Sequence, residues 1–222
     1  MFYRLAQIAV RIYFTLYHRV SIRGLRELEE FLVSRGGSPV ILAANHASYL
    51  DPPAIGMVFP RPLRFIAWDG LFRVPLLSSL IRALGAVPVN QEDKSSAARL
   101  LRAVIGFIED GFSVLIFPEG MRSPDGNLLP LEGGVALIAL KTGAPIVPVR
   151  LDGTWEAYPV GRRFPRPRKV SVSFGPPIRV GDLPPGMTDK ERRKRLLDSL
   201  EAALISMRGP EARTRPKPQA KP

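Results

Sequence analysis

The chain has 222 residues, 45% of them hydrophobic, which suits one domain with a substantial core plus appendages. It contains no cysteine, which excludes disulfides, thiolate nucleophiles and cysteine metal sites but leaves the redox compartment open. A net charge of +12, of which +4 lies in residues 208–222, favours anionic partners: a lipid surface, nucleic acid or an acidic carrier.

Residues 2–17 are mostly apolar and aromatic, but no uninterrupted apolar run approaches the roughly 20 residues of a spanning helix. Arg4, Gln7, Arg11 and His18 recur at helical spacing on one narrow face, and the remaining surface is apolar. This predicts a helix lying in a membrane interface, with arginines reaching phosphates and tyrosines at headgroup depth. A helix packed on the protein's own core is the competing reading. Arg11 interrupts the apolar region and no small-residue site follows, which argues against a cleaved signal peptide.

Val20 to Ile22 predicts a short strand, and Leu25 to Ser34 an amphipathic helix ending at Gly36-Gly37. Val40 to Ala44 is an apolar run of strand length. Asp51-Pro52-Pro53 looks like a helix start, with Asp51 as its cap. Further strands are expected at 63–68, 86–89, 113–117 and 146–151, and a half-buried, alternating one at 169–174. Helices are expected at 75–84, 95–109 and 134–141, and a basic amphipathic one at 188–207 with a Thr-Asp start. The tail 208–222, rich in proline and basic residues, predicts disorder. The organisation expected is thus a membrane-interface helix and connection over 1–24, a catalytic domain over 25–207 and the tail. Strands alternating with helices predict an α/β sandwich of helices around a mainly parallel or mixed central sheet.

The most informative segment is Asn45-His46-Ala47-Ser48-Tyr49-Leu50-Asp51. A histidine followed five residues on by a carboxylate, directly after an apolar strand, is a general base with an orienting partner. On a straight helix these two positions would point about 140° apart, so the pair requires a turn. The competing reading makes Asp51 a mere helix cap and His46 an exposed loop residue. Polar or sterically special residues also follow two other strands, at Glu119-Gly120 and Asp152-Gly153. Ligands of open α/β sheets bind beyond the carboxyl ends of strands, so these loops are expected to converge.

These blocks carry a resemblance. Asn45 to Asp51 resembles the His-(four residues)-Asp motif of the glycerolipid acyltransferases, and Phe117-Pro118-Glu119-Gly120-Met121-Arg122-Ser123 is similar to their second signature. Gly85 to Asn90 and Ile146 to Val149 stand where that family has its middle and last blocks. The family is that of the 1-acyl-glycerol-3-phosphate acyltransferases and other lysophospholipid acyltransferases. The resemblance implies transfer of a fatty acyl group from a thioester, acyl-CoA or acyl-carrier protein, to the hydroxyl of a lysolipid at a membrane surface. It implies His46 as base and Asp51 as its partner, with Asn45, Ser48, Glu119, Gly120, Arg122 and Ser123 toward the substrate. No acyl-enzyme, cofactor or metal is expected; one histidine and one aspartate do not make a zinc site. Location would be monotopic, on the cytoplasmic face of a membrane.

Three departures from the pattern bear on the acceptor. Gln91 stands where the middle block usually ends in arginine, Glu132 where a lysine commonly precedes the glycines, and Met121 where threonine is usual. Either Arg73, Arg82 or Lys94 substitutes, or the acceptor is not a simple phosphomonoester. Lysophosphatidate is the first expectation; a lyso-amino-lipid or other lysolipid stays open, as does a non-catalytic lipid-binding relative. Arg162, Arg163, Arg166, Arg168 and Lys169 form a basic loop suited to anionic lipid or an acidic carrier protein. The aromatic-basic interleaving of a nucleic-acid platform is not found, so no nucleic-acid partner is expected.

Overall fold

A computed structural model describes residues 2–73, 78, 81, 82, 85–89 and 96–209. Helix α1 (Phe2–Tyr13) runs into a π-helical turn (Phe14–His18), strand β1 (Val20–Arg23) and helix α2 (Leu25–Ser34). Strand β2 (Ile41–Ala44) leads through the His46 loop to the short helix α3 (Asp51–Gly56). Strands β3 (Leu63–Trp68) and β4 (Ala86–Val89) follow, then helix α4 (Ser96–Glu109), β5 (Ser113–Ile116) and helix α5 (Gly134–Thr142). The chain closes with β6 (Ile146–Asp152), a short helix α6 (Thr154–Ala157), β7 (Val170–Phe174) and the long helix α7 (Asp189–Ser206). Of the helix expected at 75–84, only Ser78, Ile81 and Arg82 are described, and they are helical. Gln91, Lys94 and most of the tail lie outside the described residues.

The sheet has seven strands in the order β1-β7-β6-β2-β5-β3-β4. All neighbours are parallel except β6 and β7, so the sheet is mixed, as the α/β reading expects. Strand β1, inside the segment 1–24, joins as an edge strand, so the sheet begins before residue 25. The apolar run in β2 is buried on both faces because helices cover both. Leu42 and Ala44 face a core with Phe14, Leu32 and Ile55; Ile41 and Ala43 face another with Val104, Ile138 and Leu200. Leu196, Leu200 and Leu204 recur every fourth residue on α7 and are fully buried, each worth about 2 kcal/mol. Thr188 opens α7 with a reciprocal capping box to Glu191.

Three expectations need correction. Strand β7 is buried at all five positions, not half-buried: Val170, Val172 and Phe174 join the core with Phe14 and Leu32, and Ser171 and Ser173 on the opposite face are covered too. Asp51 does not cap α3; Leu50 is the cap, and Asp51 is the first helical residue, its side chain reaching back to preceding amides. The polar residues of α1 do not share one solvent face. Gln7 turns inward, donating to the carbonyls of Gly56 (2.8 Å) and Phe59 (2.9 Å) at the end of α3. His18 is fully buried among Tyr13, Phe14 and Tyr17, and burial pushes its imidazole below the ordinary value. The outward face of α1 and its turn instead carries Leu5, Ile8, Ile12 and Leu16.

Candidate active site

Strands β5, β2 and β6 are adjacent and parallel, so their carboxyl ends open at one edge of the sheet. The loops bearing His46, Glu119 and Gly153 therefore meet there, as expected. The His46 loop is irregular up to the turn before Asp51, which supplies the reversal a straight helix could not. His46 Nδ1 lies 2.8 Å from Asp51 Oδ2. The same oxygen accepts the backbone N–H groups of Ala47 and Ser48, each at 2.7 Å. Two amides aimed at Oδ2 make it an acceptor, so Nδ1 is the donor and the ring lone pair falls on Nε2. Asp51 is fully buried; the His46 side chain keeps 17% of its surface exposed. Among the described residues no hydrogen-bond partner is found for Nε2.

The second signature grips the same histidine by its main chain. Glu119 Oε1 accepts the His46 N–H at 2.6 Å, and the His46 carbonyl accepts the Ser123 N–H at 2.8 Å. The Phe117 ring stacks on the imidazole, with centroids 3.9 Å apart and planes 20° apart. The imidazole is thus held through its ring face, one ring nitrogen and both backbone polar groups.

The side chains expected at the substrate separate into two groups. Asn45 lies beneath the loop, its amide donating to the Leu151 carbonyl (2.9 Å) and accepting the Leu151 N–H (2.7 Å), which pins the loop to β6. Ser48 Oγ donates to the Tyr158 carbonyl at 2.7 Å and is fully buried. Ser123 Oγ is buried against Asp125 at 3.0 Å. Glu119 is 5% exposed, and its second oxygen accepts the Leu129 N–H at 2.7 Å. It neither touches Arg122 nor faces outward. Burial pushes its carboxyl up to about 7, against the pull of those two N–H bonds. These four side chains spend their polar atoms inside the protein.

Gly120 and Arg122 stand at the surface. Gly120 turns with φ +70°, and a Cβ there would meet Glu132 Oε1 at 2.7 Å. Glu132 is therefore an exposed carboxylate over the Gly120 turn, its own N–H bonded to the Pro118 carbonyl. The Arg122 guanidinium sits 4.0 Å over the ring of Tyr49. Arg82 is not brought here; it stacks over Phe72 near the β4 edge, two strands beyond β5. Asp152 also turns away, pairing with Arg150 Nε (2.9 Å) and the Gly209 N–H (2.8 Å). Gly153 follows with φ +82°, where a Cβ would overlap the Lys169 carbonyl. A small polar cavity lined by Asn45, Arg150, Asp152 and Trp155 opens behind the loop, away from the imidazole face. Among the described residues no group of three or more His, Asp or Glu side chains is placed to hold a metal ion.

A family model described as Acyltransferase matches residues 19–152, which contain both signatures. The chain belongs to the acyltransferase family. The resemblance read from the sequence blocks is thereby borne out. The chain is similar to a chloroplastic 1-acyl-sn-glycerol-3-phosphate acyltransferase of Brassica napus, 33% identical over 145 residues covering 65% of this chain and 40% of the relative. It is 30% identical to a 1-acyl-sn-glycerol-3-phosphate acyltransferase of Chlamydomonas reinhardtii over 174 residues, 78% of this chain and 49% of that one. The chain thus spans half or less of the length of these curated relatives. Among solved structures it resembles the 1-acyl-sn-glycerophosphate acyltransferase PlsC of Thermotoga maritima, with a TM-score of 0.75 and 27% identity over 93% of this chain and 80% of that chain.

Sequence reasoning on this acyltransferase missed Phe117 and Tyr49 as ring neighbours of His46 and Arg122. Two aromatics flanking the signature residues were the available signal. It could not foresee Leu151 or Leu129, because a main-chain partner leaves no mark in residue type.

Proposed function

We propose that this protein transfers a fatty acyl group from an acyl thioester to the free hydroxyl of a lysolipid, with His46 as general base. The observation that carries this reading is the Nδ1–Asp51 bond of 2.8 Å, which leaves Nε2 to receive a proton at the surface. The acceptor hydroxyl would give its proton to Nε2 as its oxygen attacks the thioester carbonyl. Asp51 would steady the imidazolium, as in a catalytic triad whose serine is replaced by the substrate's own alcohol. Collapse of the tetrahedral intermediate breaks the C–S bond, and the leaving thiolate takes the proton back. The products are an ester and a free thiol, from coenzyme A or a carrier protein, with no cofactor required.

Arg122 and the Gly120 turn are the groups at the mouth suited to an anionic head group. Asn45, Ser48, Glu119 and Ser123 act by positioning the loop. Lysophosphatidate is the first acceptor, supported by the names of the relatives. The exposed Glu132 carboxylate over Gly120 favours a second reading on the same chemistry, an acceptor bearing an amine. Among the described residues no helix is long and apolar enough to cross a membrane. The outward stripe of Leu5, Ile8, Ile12 and Leu16 supports α1 as an interfacial helix, and the cytoplasmic face of a membrane is the side proposed for it.

The test is purified protein with labelled acyl-CoA or acyl-carrier protein and a panel of lysolipids. Thioester-dependent acylation of one acceptor class is expected. Lipid binding without turnover on any acceptor or donor would make the protein a non-catalytic relative.

A further inference from the structure

Between α1 and the candidate site lies a second group of exposed apolar side chains. On the loop 158–169, Val160 is 50% and Phe164 66% exposed. Residues 157–169 hold four arginines and a lysine and no acidic side chain. Pro159, Pro165 and Pro167 restrict the loop backbone. Two bonds fix it in place: the Arg166 N–H donates to the Ala157 carbonyl at 2.8 Å, and Tyr17 Oη donates to the Pro165 carbonyl at 3.1 Å. The second bond ties the loop to the end of the α1 turn. Tyr17 in turn stacks on Tyr13, with centroids 5.5 Å apart. On the other side Tyr158 lies 5.3 Å from Tyr49, whose ring carries the Arg122 guanidinium. The loop therefore lies between two tyrosine pairs, Tyr13–Tyr17 at the end of α1 and Tyr49–Tyr158 at the mouth beside His46.

We propose that the loop 158–169 is a second membrane contact, which together with α1 seats the mouth of the His46 site on an anionic bilayer. The charge pattern fits: guanidinium groups beside an exposed phenylalanine can bind lipid phosphates while the ring enters the acyl boundary. The two tyrosine pairs sit where headgroups would lie. An acidic carrier protein would answer the arginines, but it would not account for an apolar surface continuing along α1, about 10 Å from Leu5 to Ile12 alone. Seating the mouth this way lets a lysolipid reach Nε2 while its chains stay in the bilayer. The inference rests on the reading of α1 as an interfacial helix.

The full chain should be co-sedimented with phosphatidylcholine vesicles containing about a third phosphatidylglycerol, and with pure phosphatidylcholine. An arginine near an anionic surface is worth about fivefold in partitioning. Arg163→Glu/Arg166→Glu should therefore weaken binding to the anionic vesicles at least roughly 25-fold. Phe164→Asp should weaken it on both vesicle types, with the unfolding temperature of each variant unchanged. Phe164→Trp should bind as the parent and add an emission that shifts blue on vesicles. Loop variants that bind like the parent, or an indole that stays in water, would overturn the proposal. If Ile8→Asp/Ile12→Asp abolishes binding while the loop variants bind like the parent, α1 is the anchor and the loop is not. If the parent itself fails to bind, both readings fall. Loss of holo acyl-carrier protein binding with vesicle binding intact would reassign the loop to the donor.

Discussion

Glu119→Gln tests the least expected feature of the site. The Glu119 carboxyl is nearly buried and accepts the N–H groups of His46 and Leu129, one on each oxygen. Burial is the largest influence on it and lifts it from 4.5 to about 7; Asp51 pushes the same way, while the two amides and Arg150 pull it down. Between those values the folded chain holds a proton that the unfolded chain has lost. Stability from this group is therefore greatest below pH 4.5, falls as pH rises, and levels off above about 7. The gap amounts to about 3 kcal/mol. Glutamine keeps the shape and never ionises. In urea titrations the variant should gain on the parent by up to about 3 kcal/mol between pH 5 and pH 8, set against a loss of about 1–3 kcal/mol at both for the N–H left without an acceptor. Its catalysis should move the other way. One oxygen becomes an NH₂ group that cannot accept, so one backbone N–H loses its partner and the His46 loop loosens. A kcat about tenfold lower with an unchanged acceptor KM is expected, the loss of a single buried bond being worth about 1–3 kcal/mol. A difference between variant and parent that stays the same from pH 5 to pH 8 would refute the argument, since Glu119 would then titrate alike in the folded and unfolded chain. A raised acceptor KM with normal kcat would place Glu119 on the substrate instead.

His46→Ala should cut thioester-dependent transfer by at least roughly 100-fold while leaving the unfolding temperature nearly unchanged; retention of more than about a tenth of the rate would remove it as the base. Asp51→Asn should lower kcat by about 10²–10⁴-fold, because the neutral amide oxygen can replace Oδ2 toward its three donors but brings no charge to steady an imidazolium; a normal rate would detach the aspartate from the chemistry. Asn45→Ala leaves the buried N–H and carbonyl of Leu151 without partners, so denaturant titration should show a loss of about 2–4 kcal/mol. Glu132→Lys should lower the KM for lysophosphatidate several-fold at low salt and less at high salt, since the side chain is exposed; an unchanged KM would mean that the head group lies elsewhere.

What could be read in the chain depended on whether its cause was local. The run Val40 to Ala44 announced a strand by its length and apolar composition, and the structure divides its residues between two cores. The spacing from His46 to Asp51 together with Pro52-Pro53 announced a turn, and the turn is there. Misreadings arose where facing mattered. Gln7 carries the polarity of a solvent residue, yet α3 offers it two free carbonyls, so it faces in. Ser171 and Ser173 suggested a half-exposed strand, but the face of β7 that carries them is covered as well. Asn45, Ser48, Glu119 and Ser123 have the chemistry of substrate contacts, yet the first three bond amides and carbonyls up to 110 residues away and the Ser123 hydroxyl bonds Asp125.

That misreading has a physical logic. An imidazole that must accept a proton at one nitrogen needs every other degree of freedom removed, and side chains near the signatures serve that end better than main chain alone. Asp51 gathers three donors on Oδ2, bonds that also fix the ring, while its buried Oδ1 has no partner among the described residues. Glu119 receives only two donors and keeps a raised carboxyl, so its burial lowers stability at neutral pH. A neutral residue there would fold more stably but could not hold two N–H groups with two oxygens. The Glu119 carboxylate thus gives up stability at neutral pH and holds the His46 loop by both of its oxygens.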